Sequence, residues 1–340
     1  MRVNVPVSIR EVAAHAGVSV ATVSNVLNRP EIVAQPTRER VQSSIRLLGY
    51  VRNESARQLR AGRSRTIGLV VLDVANPFFT DLARGVEDEA NKAGLAVILC
   101  NSDDQERKEK QYLELLEEHR VHGVLITPVA GAGARLAKLQ LRGTPVVLVD
   151  SRSPYRGQCS VAVDDVLGGD IAVSHLLSAG HERVTYVAGP PAIRQVADRL
   201  EGAQRAMTRA GHAPEDLDII EASGLNVAGG QKAGAEIAAK PADSRPTAVF
   251  CANDLIALGV LQEMTRNHIR VPEDISIAGY DDIDFAAAAA VPLTSVRQPR
   301  HQLGRTAARL LLDEAADGDT HQHRQVIFEP ELVIRQSTRS

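Results

Sequence analysis

The stretch Ser8–Asn28, SIREVAAHAGVSVATVSNVLN, decides how this chain is read. Ile9, Val12, Ala13 and Ala16 recur at i, i+3, i+4 and i+7, which makes one apolar helical face. Gly17 follows where a left-handed C-cap is needed, and Ser19 is a good N-cap for a second helix. In that second helix Val23, Val26 and Leu27 form a stripe toward the first, while Val20, Ala21, Ser24 and Asn25 face the other way. Small and polar outward residues on a short helix suit insertion into a DNA major groove. Periodicity alone would also describe any helical hairpin.

Working outward, a third helix is expected within 30–50. Pro36 suits its first turn, Val41, Ile45 and Leu48 give its apolar side, and Gly49 ends it. Residues 1–50 then form a small all-α headpiece. Charge supports a separate role for this end of the chain. Residues 1–65 carry eleven Arg and no Lys against four Glu, a net of +7. The remainder holds 28 bases against 38 acids, a net of −10. A basic head on an acidic body points to a polyanionic partner for the head only.

Residues 51–65, VRNESARQLRAGRSR, are too polar for a core and read as a linker. Asn53 could cap a short helix from Glu54 to Ala61, with Gly62 ending it, but eight residues are too few for a stable free helix in water.

From Thr66 the pattern changes. IGLVVLD (67–73), LAVILCN (95–101), GVLITP (123–128) and PVVLVD (145–150) are buried-strand runs separated by helical stretches. A second set follows: RVTYVAG (183–189), DIIEA (218–222), AVFCAN (248–253) and DISIAGYD (274–281). Continuous apolar strands alternating with helices imply parallel sheets covered on both faces. The expected fold is an all-α headpiece joined to α/β, with two doubly wound parallel-sheet lobes. The expected domains are 1–50, the linker 51–65, a first lobe of 66–163 with 292–324, and a second of 164–291 with 325–340. Around 161–165, 293–298 and 325–332 the pattern fits neither lobe cleanly, and these are the expected crossovers.

No apolar run of 18 residues is present and the N-terminus lacks a long apolar segment, so neither a membrane span nor a secretory signal is expected. Cys100, Cys159 and Cys251 show no metal-like spacing and read as buried reduced thiols in a cytoplasmic protein. HQHR (321–324) reads as a solvated loop before the last strand, so no metal and no cofactor are expected. GAGARL (131–136) has only two glycines of a dinucleotide fingerprint, and no phosphate loop, nucleophile elbow or HExxH occurs, which argues against an enzyme.

The wording of the opening stretch narrows its meaning. EVA (11–13), AGVS (16–19), TVS (22–24) and VLN (26–28) resemble the helix-turn-helix of the LacI/GalR family of bacterial transcriptional regulators. The resemblance implies a homodimer on a two-fold symmetric operator, with Val20, Ala21 and Asn25 facing bases. Ser19, Thr22 and Ser24 would meet phosphates or cap, and Asn28 would also contact the DNA. It also implies that 51–65 holds a hinge helix whose Leu59, beside the small Ala56, wedges into the minor groove. The body resembles periplasmic sugar-binding proteins along its whole length, so a small effector is expected between the lobes.

In open parallel sheets ligands bind beyond the carboxyl ends of the strands. Polar residues cluster there: Asp73, Asn101–Asp103, Asp150–Arg152, Asn253–Asp254, Tyr280–Asp282 and Arg297–Gln298. NPFF (76–79) places two of the chain's five phenylalanines at one strand end, and it resembles the mouth of ribose-type members of the family. The matching positions imply that Asn76, Phe78, Phe79, Asp150 and Arg152 contact the effector from one lobe, and Arg199, Asp254 and Asp281 from the other. A sugar is the expected effector, with a purine as the alternative ligand and a sugar-transport component as the rival role.

Overall fold

Ser8 begins the first helix with a reciprocal cap. Its N–H and hydroxyl donate to the Glu11 carboxylate at 2.7 and 2.9 Å, and the Glu11 N–H donates back to Ser8 Oγ at 3.4 Å. The computed structural model describes residues 7–50 and 64–339. Helices α1 (Ile9–Ala16), α2 (Val20–Asn28) and α3 (Gln35–Leu48) form the headpiece. Gly17 ends α1 at φ +63° and Gly49 ends α3 at φ +64°, the left-handed conformation that a side chain would oppose. Val12, Ala13, Ala16, Val23, Val26 and Val41 make the buried centre. His15 Nδ1 meets Ser44 Oγ at 3.0 Å and pins α1 to α3.

The second unit begins at Ser64. Its first sheet contains β1 (Thr66–Val71), β2 (Ala96–Asn101), β3 (Gly123–Ile126), β4 (Val146–Val149), β5 (Ser160–Val163) and β11 (Gln325–Phe328). They lie in the order β11-β5-β4-β3-β1-β2, parallel throughout. The second sheet contains β6 (Val184–Ala188), β7 (Asp218–Glu221), β8 (Ala248–Cys251), β9 (Ser276–Asp281), β10 (Thr294–Arg297) and β12 (Glu331–Val333). Their order is β12-β10-β9-β8-β6-β7, with only β12 antiparallel to its neighbour. Each sheet is covered by helices on both faces, which is why its strands are continuous apolar runs.

The chain passes between lobes three times, after β5, β10 and β11, inside the three stretches that fitted neither lobe. The expected boundaries are corrected by strand pairing. β10 pairs β9, so the stretch from residue 292 belongs to the second lobe until Arg297; β11 pairs β5, so 325–328 belongs to the first. Both strands are short and lie at or next to a sheet edge, so their own residues carry no signature of which sheet accepts them.

Three helix pairs pack closely: α4 (Pro77–Lys92) with α12 (Arg300–Asp317), α7 (Asp165–Ser178) with α8 (Arg194–Arg209), and α9 (Val227–Ala239) with α10 (Asp254–Arg266). Each crossing is built on reciprocal glycines. A methyl group at Gly85 would collide with the His301 carbonyl and one at Gly304 with that of Leu82. Gly169 and Gly202 stand in the same relation to Arg199 and Val166, and Gly230 and Gly259 to Ile256 and Val227. The remaining helices are α5 (Glu106–Glu118), α6 (Gly133–Leu141) and the short α11 (Asp284–Ala287). Beside the α4–α12 crossing, Glu89 accepts from Arg309, Lys92 and Arg305, each at 2.9 Å. These cations, Arg309 foremost, pull its carboxyl down to about 2. Among the described residues no helix is long and apolar enough to cross a membrane.

Candidate functional site

Two surfaces carry chemistry, one in each unit. On α2, Ser19 Oγ accepts from the Thr22 N–H at 3.1 Å and fixes the start of the helix. Val23 and Val26 turn into the headpiece, leaving Val20 and Ala21 exposed and Ser24 and Asn25 half-buried on the other side. Asn28 donates to the Ser24 carbonyl at 2.9 Å, so it closes the helix and reaches Ser24 Oγ at 3.2 Å. Short side chains leave the α2 backbone room to approach a groove floor. Ala56 and Leu59 lie outside the described residues.

In the second unit, a cavity of about 380 Å³ opens beyond the carboxyl ends of the strands, between the lobes. Asn76, Phe78, Phe79, Asp150, Arg199 and Asp281 all line it. Asn76 caps α4 by accepting from the Phe78 N–H at 3.0 Å, and its amide donates across the cleft to Asp281 Oδ2 at 3.2 Å. Phe78 and Phe79 meet edge to face, with ring centroids 5.0 Å apart. Gln195, one turn before Arg199 on α8, donates to Asp150 Oδ2 at 2.9 Å and closes the cleft a second time. Gln298 donates to Asp281 Oδ1 at 2.7 Å.

Among the described lining residues Arg199 is the one cation, against Asp73, Asp103, Asp104, Asp150 and Asp281. Its Nε donates to Asp165 at 2.8 Å, its Nη1 to the Ala252 carbonyl at 2.6 Å, and its guanidinium carbon sits 3.7 Å from the centre of the Tyr280 ring. Burial, reinforced by the Asp165 charge, pushes the Asp150 carboxyl well above the usual carboxylate range. Burial also raises Asp281. Asp150, Asp281, Asp103 and Asp104 hold left-handed backbone at φ +54°, +102°, +50° and +52°. Such conformations cost energy in non-glycine residues and gather at ligand clamps. Two buried oxygens on the wall, Asp150 Oδ1 and Gln298 Oε1, make no hydrogen bond among the described residues.

Two of the expected contacts lie elsewhere. Arg152 pairs with Asp164 at 3.1 Å and borders a different surface groove. Asp164 caps α7 at the first crossover, and its charge draws the guanidinium away from the cleft. Asp254 is fully buried and accepts from Ser295 Oγ at 2.6 Å and the Ile283 N–H at 2.8 Å. It holds β10 against the turn after β9, while its neighbour Asn253 lines the cavity. The sequence reading missed Gln195 and Asn226. The i, i+4 spacing of Gln195 from Arg199 was available as a signal, and Asn226 caps the helix that follows a strand end, as Asn76 does.

The raised Asp150 carboxyl has a stability consequence. A carboxyl raised by folding leaves stability intact below the unfolded value of about 4 and removes it as pH climbs toward the folded value. Asp150→Asn keeps an acceptor for Gln195 and tolerates positive φ. It is therefore expected to raise the melting temperature of the ligand-free protein at pH 7 by a few degrees, on the order of 1 kcal/mol. The fall in melting temperature between pH 5 and 8 should flatten. Thermal unfolding followed by circular dichroism across that range checks this; an unchanged slope would reject it.

Comparison with known proteins agrees with this geometry. Residues 8–53 match the description "Bacterial regulatory proteins, lacI family", and 173–338 match "Periplasmic binding protein-like domain". The HTH-type transcriptional repressor PurR of Photobacterium profundum is 35% identical over 336 residues, covering 98% of each chain. A LacI family transcriptional regulator from Enterococcus faecium with bound ribose is 32% identical, covers 80% of this chain and 98% of its own, and superposes with a TM-score of 0.73. The lac repressor dimer bound to operator and the anti-inducer ONPF is 27% identical, covers 99% and 100%, and superposes at 0.84.

Proposed function

This chain belongs to the lacI family of bacterial regulatory proteins, and from that we propose a repressor of carbohydrate-use genes that binds operator DNA as a homodimer and answers to a small neutral polyhydroxyl compound. It acts in the cytoplasm, where the operator is, and its cleft binds rather than turns over the ligand. The carrying observation is the pair of buried oxygens, Asp150 Oδ1 and Gln298 Oε1, with no hydrogen bond among the described residues in a cavity rich in carboxyl groups. Hydroxyl groups both donate and accept, so a polyhydroxyl ligand satisfies them in either protonation state of Asp150, whereas an anionic ligand would meet five aspartates and one arginine. The edge-to-face pair Phe78–Phe79 offers an apolar wall to the C–H side of a sugar ring. Ribose bound to a relative of the same architecture supports a pentose.

The effector contacts are then Asn76, Phe78, Phe79, Asp150, Arg199 and Asp281, with Gln195 and Gln298. On the DNA side, Val20, Ala21 and Asn25 read bases, Ser19, Thr22 and Ser24 hold phosphates or the cap, and Leu59 with Ala56 engages the minor groove. Ligand between the lobes changes their closure, and this is relayed to the spacing of the two headpieces. A purine is the second reading, because its N–H donors suit the same two oxygens and its ring the same aromatic pair.

The test is a thermal-shift screen of pentoses, hexoses, nucleosides and purine bases, followed by operator binding with and without the compound that stabilises most. A pentose that raises the melting temperature and changes operator affinity is expected. A purine as the sole stabiliser would select the second reading, and a stabiliser that leaves operator affinity unchanged would overturn the regulatory one.

A further inference from the structure

The HQHR segment is not the plain solvated loop that its sequence suggests. His321 is folded inward, with only 3% of its side chain exposed, and it faces Cys159. Cys159 precedes β5 at the amino edge of the first sheet, the end opposite the effector cavity. Its Sγ lies 3.3 Å from His321 Nε2 and 3.6 Å from His323 Nδ1. Glu314, near the end of α12, brings Oε2 to 3.9 Å from His323 Nδ1. All four ligand atoms lie within 4.8 Å of one another.

We propose that Cys159, Glu314, His321 and His323 form a structural metal site whose preferred ion is Zn²⁺. Cys159 Sγ is the hub of the arrangement: it accepts from the Arg324 N–H at 3.3 Å and faces one ring nitrogen of each imidazole. Glu314 Oε2 is buried without a hydrogen bond among the described residues. A thiol, two imidazoles and a carboxylate thus converge on one point, which is a ligand set that zinc takes.

The spacing fits the ion. Zinc bonds of about 2.3 Å to sulfur and 2.0–2.2 Å to nitrogen and oxygen, at tetrahedral angles, require ligand atoms roughly 3.4–3.6 Å apart. The Cys159–His323 distance of 3.6 Å meets this, the Cys159–His321 distance of 3.3 Å is slightly short and the Glu314–His323 distance of 3.9 Å slightly long, and with all four atoms within 4.8 Å of one another closure on the ion needs side-chain shifts of up to about an ångström. Four protein ligands leave no open position, which marks a structural rather than a catalytic site. Thiolate, imidazole and carboxylate together suit zinc better than magnesium or calcium. The outer contacts are also those of a metal site. His321 Nδ1 faces Asp317 Oδ2 at 3.4 Å, which leaves Nε2 free to bind, and the Arg324 N–H stabilises a thiolate.

On binding, the Cys159 S–H bond breaks, its proton leaves to solvent, and a Zn–S bond forms. Nothing is oxidised or reduced. The ion would tie the end of α12 and the segment before β11 to the start of β5, closing the amino edge of the first lobe.

The test uses the full-length protein stripped with a chelator and titrated with Co²⁺ or Zn²⁺ alone. One Co²⁺ per chain is expected, with the thiolate-to-cobalt charge-transfer band and strong visible bands of a tetrahedral site. Zn²⁺ should displace it and raise the melting temperature. His321→Gln/His323→Gln should lose the charge-transfer band with its circular dichroism unchanged, and Asp317→Asn should weaken binding about 10- to 100-fold. Cys159→Ser should retain no band. If the parent shows no thiolate band at one equivalent, or the band survives in the double histidine variant, the proposal fails. Because this edge is remote from the effector cavity, its failure leaves the regulatory reading untouched.

Discussion

Arg199→Met is expected to cost about 3–5 kcal/mol of stability and to abolish the effector response. Arg199 is 4% exposed. It spends its hydrogen bonds on Asp165 and the Ala252 carbonyl, lies over the Tyr280 ring, and sits among Asp150, Asp165 and Asp281. Methionine keeps most of the volume but leaves these carboxylates without a buried counter-charge. Breaking such a pair costs more than the pair was worth, because the partner's desolvation is no longer offset. Urea unfolding of the ligand-free protein measures the loss. The double variant Arg199→Met/Asp165→Asn removes the stranded charge and is expected to recover at least half of the stability. It should still not respond to the effector, since the one cation among the described lining residues is gone. A single variant within 1 kcal/mol of the parent, or a double variant that still changes its operator affinity with effector, would refute the assignment.

Gly202→Ala is expected to destabilise by about 2–3 kcal/mol, although alanine is the better helix former by about 1 kcal/mol. The reason is the α7–α8 crossing. A methyl at Gly202 would collide with the Val166 carbonyl and lie 2.7 Å from the Asp170 nitrogen, both main-chain atoms that cannot rotate away. The same change at Gly133, the first residue of α6, meets only Tyr155 Oη at 3.9 Å and is expected to be neutral or slightly stabilising. Opposite signs for one substitution on two helices would show that packing, not propensity, governs these glycines. Equal effects would overturn that view. Function is coupled to the crossing, because Gly169 on α7 packs against the main chain of Arg199 on α8. Forcing the helices apart therefore also displaces Arg199 from Asp165, and Gly202→Ala is expected to weaken effector binding as well as stability.

The cleft shows how far residue patterns carry. Asn76, Phe78, Phe79, Asp150 and Asp281 were legible because each stands at or just past the carboxyl end of a strand, and a parallel sheet delivers all such ends to one side. Arg152 and Asp254 satisfied the same rule and still face elsewhere. Adjacent residues leaving a strand point in different directions, and a local partner, Asp164 for one and Ser295 for the other, settles which way. Gln195 became a cleft residue only when α8 docked against the first lobe.

What the sequence alone determined is what neighbours along the chain decide: the Ser19 cap, the left-handed Gly17 and the stop at Gly49, the apolar stripes of α1–α3, and the strand runs of both sheets. These depend on interactions within a few residues, so they are written in short words. Only the tertiary structure decided that β10 joins the second sheet and β11 the first. Only it paired glycines across helices, and only it brought Cys159 within reach of His321 and His323, more than 160 positions away. Those outcomes depend on which surfaces meet once the sheets are covered, and spacing along one chain does not record that.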